Sequence, residues 1–436
     1  MNRLFFEVEM PFQFVLMDMS INGILVDENK LEELRIDASA KRLELQRSLY
    51  EMGDLGYSLQ PDMFTGDVEL VSKHKLSSNT LLKIFAKRKL VSPFMTDGGK
   101  KNNPQMSTGK ETLTFLRGDK FVDQLVKFRI VDKLLNSFVE KMPDFIDDDG
   151  RVRCSFNNTV AVTGRLSSSN PNMQQNPKVN PELPFNFKEV FVAPKGKKLV
   201  AVDYSGQELR ILGVVSKDEV LLDAFKTGKD LHLMTANNVF KLGIPEEVLI
   251  KTHPKHKEYR EKYDHERHIG KNGYNFPIIY GTTAYGISKN NGISEQEAEK
   301  GIESFFNAYP RVRQAIRWCS QFLTKNWHVR SLTGRRRRLD PNIKRSHRQA
   351  FNFLIQSVGA DMLRLATTKM RKLFIEHPEW DAKILLLVHD EIVLEIKEEY
   401  LDVAIPKIKR MAETAMNLSV DMVVDIGIGS NYSQAK

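Results

Sequence analysis

Apolar positions in Phe5–Met19, and again in Phe121–Phe138, recur at the three- and four-residue spacing that lines up one side of an α-helix. The first ~140 residues are therefore expected to be mostly helical. Between those faces lies a charged stretch dotted with Ser and Asn, Leu76–Lys101. It runs into Asp97–Pro104, whose Asp, Gly, Asn, Pro and Lys content reads as a loop. A second polar segment, Arg165–Lys188, carries four prolines and many amides, too polar for a core, and is expected to bind something. The pattern then changes. Residues 199–205 (LVAVDYS) are a short apolar run closed by an aspartate. Residues 383–396 (KILLLVHDEIVLEI) are two strand-length runs broken by His-Asp-Glu, as in a hairpin. Between these strands, residues 208–375 look largely helical. The class is α+β, a small antiparallel sheet with helical lobes around it.

Length and composition narrow the field. A chain of 436 residues has room for about three domains or one large lobed fold. Cys154 and Cys319 are the only cysteines, which excludes a disulfide framework and any Cys-rich zinc or iron–sulfur site, and suits a reducing compartment. No run approaches ~18 unbroken apolar residues, and the N-terminus has neither a signal peptide's basic start nor its small-residue cleavage site. The formal charge of +9 points to an anionic partner.

Five constellations carry candidate chemistry. Asp203 ends one strand and Asp390 sits at a hairpin tip, so both can project from one sheet edge. Two close carboxylates repel unless a cation lies between them, and Mg²⁺ is commonly shared between such acids and substrate phosphates. Either aspartate alone is equally at home as a turn residue. In residues 265–281, Arg267 and Lys271 stand at i,i+4, as do Phe276 and Tyr280. A basic pair followed by an aromatic pair can grip a triphosphate and stack on its base; it can also be a solvated turn before a core helix. Arg348, Asn352 and Gln356 recur at i, i+4, i+8 on an otherwise apolar helix, a polar stripe suited to minor-groove acceptors or to buried amides. Arg335–Arg338 are four consecutive arginines, a phosphate patch or a solvated run. His253, His256, His265 and His268 imitate a zinc array, but the Lys and Arg among them would repel a cation and no Cys is near.

In this order, TGRLSSSNPNMQ at 163–174, DYSGQELR at 203–210, KNGYNFPIIYG at 271–281 and VHDE at 388–391 resemble the motifs of the family A DNA polymerases. The resemblance spans nearly the whole chain, from FFEVEMPFQFVLMDMSINGILVD at 5–27, similar to the start of that family's thumb, to IGIGSNY at 426–432. It implies a right hand: thumb 1–150, palm 151–210, fingers 211–330, and a second palm part 331–436. It implies template-directed addition of dNTPs to a primer 3′-OH, with two Mg²⁺ ions, in replication or repair. Asp203 and Asp390 match the metal-binding aspartates, Glu391 a third carboxylate, and the Tyr204 carbonyl a backbone ligand. Glu208 matches the position that excludes a ribose 2′-OH, with Gln207 beside it. His232, Arg267 and Lys271 resemble the phosphate contacts, and Phe276 and Tyr280 the nucleotide stack. Arg165, Asn172, Gln174, Arg348, Asn352, Gln356 and His389 resemble contacts to primer–template DNA.

Three departures stand out. Lys271 precedes Phe276 by five residues where the family's spacing is four, so either a π-bulge lies between them or Asn272 takes the lysine's place. Gln207 stands where an apolar residue is common. The chain opens directly at the thumb, with no upstream domain to carry the Asp-x-Glu carboxylates of the family's proofreading exonuclease, so synthesis without proofreading on this chain is expected, with a separate exonuclease or processivity subunit as a partner and the cytoplasm of a bacterium or phage-infected host as the location. A single-subunit RNA polymerase and a catalytically dead accessory subunit are the competing readings. Glu208 argues against the first, and the intact Asp203 and Asp390 against the second.

Overall fold

A computed structural model describes residues 2–61, 68–96 and 103–436. The chain forms two compact units, one of Met1–Leu25, Arg151–Gln175 and Val192–Lys436, the other of Val26–Gly150 and Asn176–Phe191.

The second unit is built on two helices, Glu28–Met52 and Lys120–Leu134, that pack together. Each begins at an aspartate whose side chain accepts from the first turn: Asp27 from Lys30 N at 3.1 Å, Asp119 from Phe121 N at 2.9 Å. Leu49, Phe121, Val122 and Leu125 meet Leu81, Ile84 and Phe85 in a common core. The last three lie on a helix, Ser78–Lys87, inside a stretch that had looked like charged connection. Its apolar residues at i, i+3 and i+4 are few but enough to bury one face. The loop expected over Asp97–Pro104 falls mostly outside the described residues. A hairpin, Ser58–Pro61 with Val68–Val71, interrupts the mostly helical pattern expected there.

The first unit holds helix α1 (Met10–Asn22), strand β1 (Lys197–Tyr204), helices α2 (Gln207–Ser216) and α3 (Leu231–Phe240), the 33-residue helix α4 (Lys344–Glu376), the hairpin strands β2 (Lys383–Val388) and β3 (Glu391–Lys397), and strand β4 (Val424–Gly429). The sheet is antiparallel throughout, in the order β2-β3-β1-β4. Leu199 to Val202 of β1 are all buried, and α1 and α4 pack against the edge strand β2 and against each other. Phe12, Val15, Leu16 and Met19 of α1 belong to the same core as Val200, Ile392 and Leu394. That packing groups the first 25 residues with the sheet, although they had been expected to open the thumb.

The two strands anticipated from the sequence are both present. The hairpin turn is shorter than the His-Asp-Glu interruption: only His389 and Asp390 turn, and Glu391 already begins β3. His389 adopts φ 59°, a left-handed conformation that His tolerates better than bulkier residues. Residues 208–375 are largely helical as expected, with one interruption, where His328–Arg330 and Arg336–Arg338 pair as a hairpin. The preceding helix stops at Trp327 (φ 56°), and Gly334 (φ 90°) makes the turn.

Arg335, inside the arginine run, is not solvated. It contacts Glu9 and the fully buried Asp361. Arg364 donates to Asn158 Oδ1 at 2.6 Å, and Asn158 donates to Glu9 Oε2 at 2.8 Å. Two acids and two arginines thus neutralise one another where water is excluded. Gly164 (φ 82°) is bare because a Cβ there would lie 2.9 Å from Arg335 Nε. Removing one member strands the others. Asp361→Ala should cost roughly 3–5 kcal/mol in urea denaturation; a loss below about 1 kcal/mol would mean that the cluster is held by something else.

Candidate active site

The register of the central sheet decides where the carboxylates meet. Asp203 of β1 stands directly opposite Glu391 of β3 on one side and Asp425 of β4 on the other. Opposed residues of an antiparallel pair point to the same face, so the three acids form one row. Asp390 joins them from the turn, where its carbonyl accepts from Tyr204 N at 3.3 Å. Burial, then the charges of Asp390 and Glu391, push the Asp203 carboxyl up to about 6. Asp390 is also raised, mainly by burial, with Arg165 and His389 opposing. Such a row, all oxygen donors with surplus negative charge, fits a hard divalent cation. Among the described residues no three His, Cys, Asp or Glu side chains converge as a cage. An ion here would therefore draw ligands from Asp203, Asp390, water and a bound substrate.

Beside the row lies a connected polar group. Glu208, in the first turn of α2, accepts from the Tyr280 hydroxyl at 2.8 Å and contacts Arg165. Gln356 of α4 bears on the Tyr280 phenol and pulls it down, against burial and then Glu208, which hold it above its ordinary range. Three sequence motifs and α4 thus converge. Arg165, Gln174 and His389 line one small cleft, and Gln174 Nε2 donates to Leu387 O at 2.8 Å.

A second group sits on α3 and the helix Asp264–Ile269. Asp230 caps α3, accepting from His232 N at 3.0 Å and Leu233 N at 3.1 Å, and Arg267 Nε donates to it at 2.9 Å. Burial, then Arg267 and Lys271 against the pull of Asp230, lower the His232 ring to about 4, so it is neutral at pH 7. Its Nδ1 accepts from Asn275 Nδ2 at 2.8 Å, while Asn275 Oδ1 accepts from Thr235 at 2.8 Å. That leaves the His232 proton on Nε2 as a donor. Phe276 lies 5.8 Å from the same ring. Residues Gly270–Asn275 form a π-helix, the wider turn anticipated between Lys271 and Phe276. Gly270 permits it: a Cβ there would meet His232 O at 2.7 Å. Lys271 is exposed, whereas Asn272 is occupied with the His268 ring at 3.2 Å.

Other anticipated residues have different surroundings. Gln207 is buried with Nε2 4.0 Å from Met362 Sδ, its amide seated where Gly359 has no Cβ, so it is spent on helix packing. The Tyr204 hydroxyl is buried and donates to Ala412 O at 2.7 Å, leaving only its backbone at the edge. Asn172 folds on its own loop, accepting from Ser168 Oγ and Gln174 N at 3.1 Å. Arg348 donates to Gly281 O at 3.3 Å, and Asn352 Nδ2 is buried with no partner among the described residues. His256 is buried, its Nδ1 3.0 Å from Val248 O. Sequence reasoning missed Asp230, Asn275, Asp425 and Lys436. Only Asp230 left a signal, an Asp just before a helical run. The others depend on tertiary neighbours.

The arrangement matches that of a polymerase domain. Its backbone superimposes with a TM-score of 0.81 and 26% identity on the POL domain of Pol1 from M. smegmatis, solved in complex with DNA primer-template and dNTP, over 98% of this chain and 70% of that one. The family model for DNA polymerase family A matches residues 65–434, and the chain belongs to that family. It is 31% identical over 444 residues to DNA polymerase I of Pseudomonas aeruginosa, covering 99% of this chain and 44% of that protein. It is likewise 31% identical to the thermostable DNA polymerase I of Thermus aquaticus, covering 99% and 48%. The chain thus spans about half the length of the curated relatives it matches.

The raised Asp203 carboxyl has a consequence that needs no substrate. Its native state holds the proton more tightly than the unfolded chain does, so ionisation penalises the fold as pH rises from about 4 through about 6. Asp203→Asn should stabilise the metal-free protein by about 1–2 kcal/mol at pH 8, a value discounted for partial solvent exposure, and hardly at pH 4. Thermal unfolding of both proteins across that range checks it; an equal gain at both ends would contradict the assigned cause.

Proposed function

We propose that this chain catalyses template-directed DNA synthesis, adding dNTPs to a primer 3′-OH with two Mg²⁺ ions, and carries no proofreading activity of its own. One observation carries the reading: the sheet register and the Tyr204–Asp390 backbone bond bring Asp203 and Asp390 to one edge. In this reading the four-stranded sheet is the palm, the unit Val26–Gly150 the thumb, and the helices after α2 the fingers. When bound, the ions would supply charge stabilisation for attacking and leaving oxygens. Everything else asked of the protein is positioning. Neutral His232 offers Nε2–H to a phosphate oxygen, and Arg267 and Lys271 add charge. Phe276 and Tyr280 flank the base, while Glu208, held by Arg165 and Tyr280, crowds the sugar where a 2′-OH would sit.

The DNA grip has support of its own. In the hairpin His328–Arg330/Arg336–Arg338, Arg336 faces Arg330 and Arg338 faces His328. Like charges opposed across a ladder are destabilising, and no acid pairs with Arg330, Arg336 or Arg338 among the described residues. A phosphate backbone relieves that repulsion. The unpartnered Asn352 amide beside Arg348 is suited to a minor-groove acceptor. A cytoplasmic location and a separate exonuclease or processivity chain go with this reading.

Primer extension with Mg²⁺ tests it. Asp203→Ala or Asp390→Ala should abolish extension while primer–template binding persists; near-normal extension by either variant would remove the metal assignment. The π-helix yields a second expectation. Lys271→Ala should lower kcat/KM for dNTP by roughly tenfold or more, and Asn272→Ala should be nearly silent. The reverse pattern would reassign the triphosphate grip.

A further inference from the structure

Glu391 differs from its neighbours in the carboxylate row. It is 1% exposed, whereas Asp203 is half-buried and Asp425 is exposed. A carboxylate that deep is costly unless a cation accompanies it. Lys436 supplies one: its Nζ contacts Glu391 Oε2. The segment delivering Lys436 is tightly seated on β4. A Cβ at Gly427 would lie 2.1 Å from Ala435 O, and one at Gly429 would lie 2.5 Å from Gln434 Cβ. Ser430 N donates to Gln434 Oε1 at 3.0 Å, Gln434 N donates to Asn431 Oδ1 at 2.9 Å, and Tyr432 is fully buried. Two bare positions on an edge strand thus let residues 430–436 fold back and aim one ammonium at the sheet.

We propose that Lys436 is the built-in counter-cation of Glu391, and that this pair withholds Glu391 from metal ligation so that Asp203 and Asp390 hold the ions. This rests on the proposed function above. Four acids, Asp203, Asp390, Glu391 and Asp425, bear on one edge, and a compact, strongly hydrated ammonium neutralises one of them. Lys436 is a positioning residue; it acts through Glu391 and touches no reacting atom. The Lys436 charge also bears on Asp203, whose carboxyl it pulls down against its other neighbours.

The test is a double-mutant cycle read without substrate. Lys436→Met leaves a buried carboxylate uncompensated and should lower the unfolding temperature by about 3 °C or more. Glu391→Gln in the same chain should restore most of that loss, and Lys436→Arg should retain the parent value. If Lys436→Met fails to fold, the Arg variant and the double variant carry the comparison. Mn²⁺ binding to the DNA-free protein, followed by electron paramagnetic resonance, is the second reading. Asp203→Asn should weaken it by roughly tenfold or more and Glu391→Gln by less than about threefold. Weakening by Glu391→Gln equal to that of Asp203→Asn, or no thermal rescue in the double variant, overturns the proposal. If Asp203→Asn itself leaves Mn²⁺ binding unchanged, the metal assignment fails, and the thermal cycle alone then decides whether Lys436 and Glu391 are a pair.

Discussion

The pairing of β1 with β3 is the constraint on which the site depends. It places Asp203 against Glu391, and the adjoining Tyr204 N to Asp390 O bond draws the turn aspartate to the same edge. A slip of one residue would turn every side chain of β1 to the opposite face. Asp203 would then enter the core, and Val202, which is fully buried, would face the edge. Leu199–Val202 are buried towards both faces and would tolerate the slip; the cost of carrying the Asp203 carboxylate into the core opposes it and so sets the separation of the acids. α1 and α4 hold the sheet from outside, and the cluster of Glu9, Arg335, Asp361 and Arg364 ties those two helices together through charges that cancel.

The cationic side of the site follows a different rule. There the backbone itself is irregular, with six residues of π-helix between Arg267 and Phe276. A regular helix would rotate Lys271 away from the aromatic face by ~100° for the extra residue. The wider turn absorbs it, and it is tolerated because Gly270 lets that helix approach α3 without a Cβ. Asp230 serves two roles there, capping α3 and anchoring Arg267, so a helix start and a guanidinium share one carboxylate. The neutral His232 ring follows from burial among positive neighbours.

Much of this was legible in the sequence because it is local. The strands at 199–205 and 383–396 declare themselves by apolar runs, and the π-turn by a one-residue misfit in spacing. The hairpin of arginines was not legible, because four consecutive cations carry no strand signal of their own and gain it only by pairing with Val329 buried beneath. Nor was the division of labour within Arg335–Arg338: Arg335 serves a buried cluster while Arg336 and Arg338 face water. Gln207 was expected beside Glu208 at the nucleotide, yet its amide lies against α4, a neighbour 155 residues away in sequence. Lys436 left no trace, since its partner is set by how β4 and the following segment fold back. Motifs of chemistry were readable; their partners, being tertiary, were not.

The central claim is that Asp203 and Asp390 together hold the divalent ions that a polymerase needs. The most direct measurement is anomalous diffraction from crystals of the protein with primer–template and a non-hydrolysable dNTP, soaked in Mn²⁺. The account expects anomalous peaks within coordination distance of both Asp203 and Asp390, and none on the histidines at 253–268. A peak on those histidines alone, or a Mn²⁺ ion held by Asp425 with Asp390 unliganded, would contradict it.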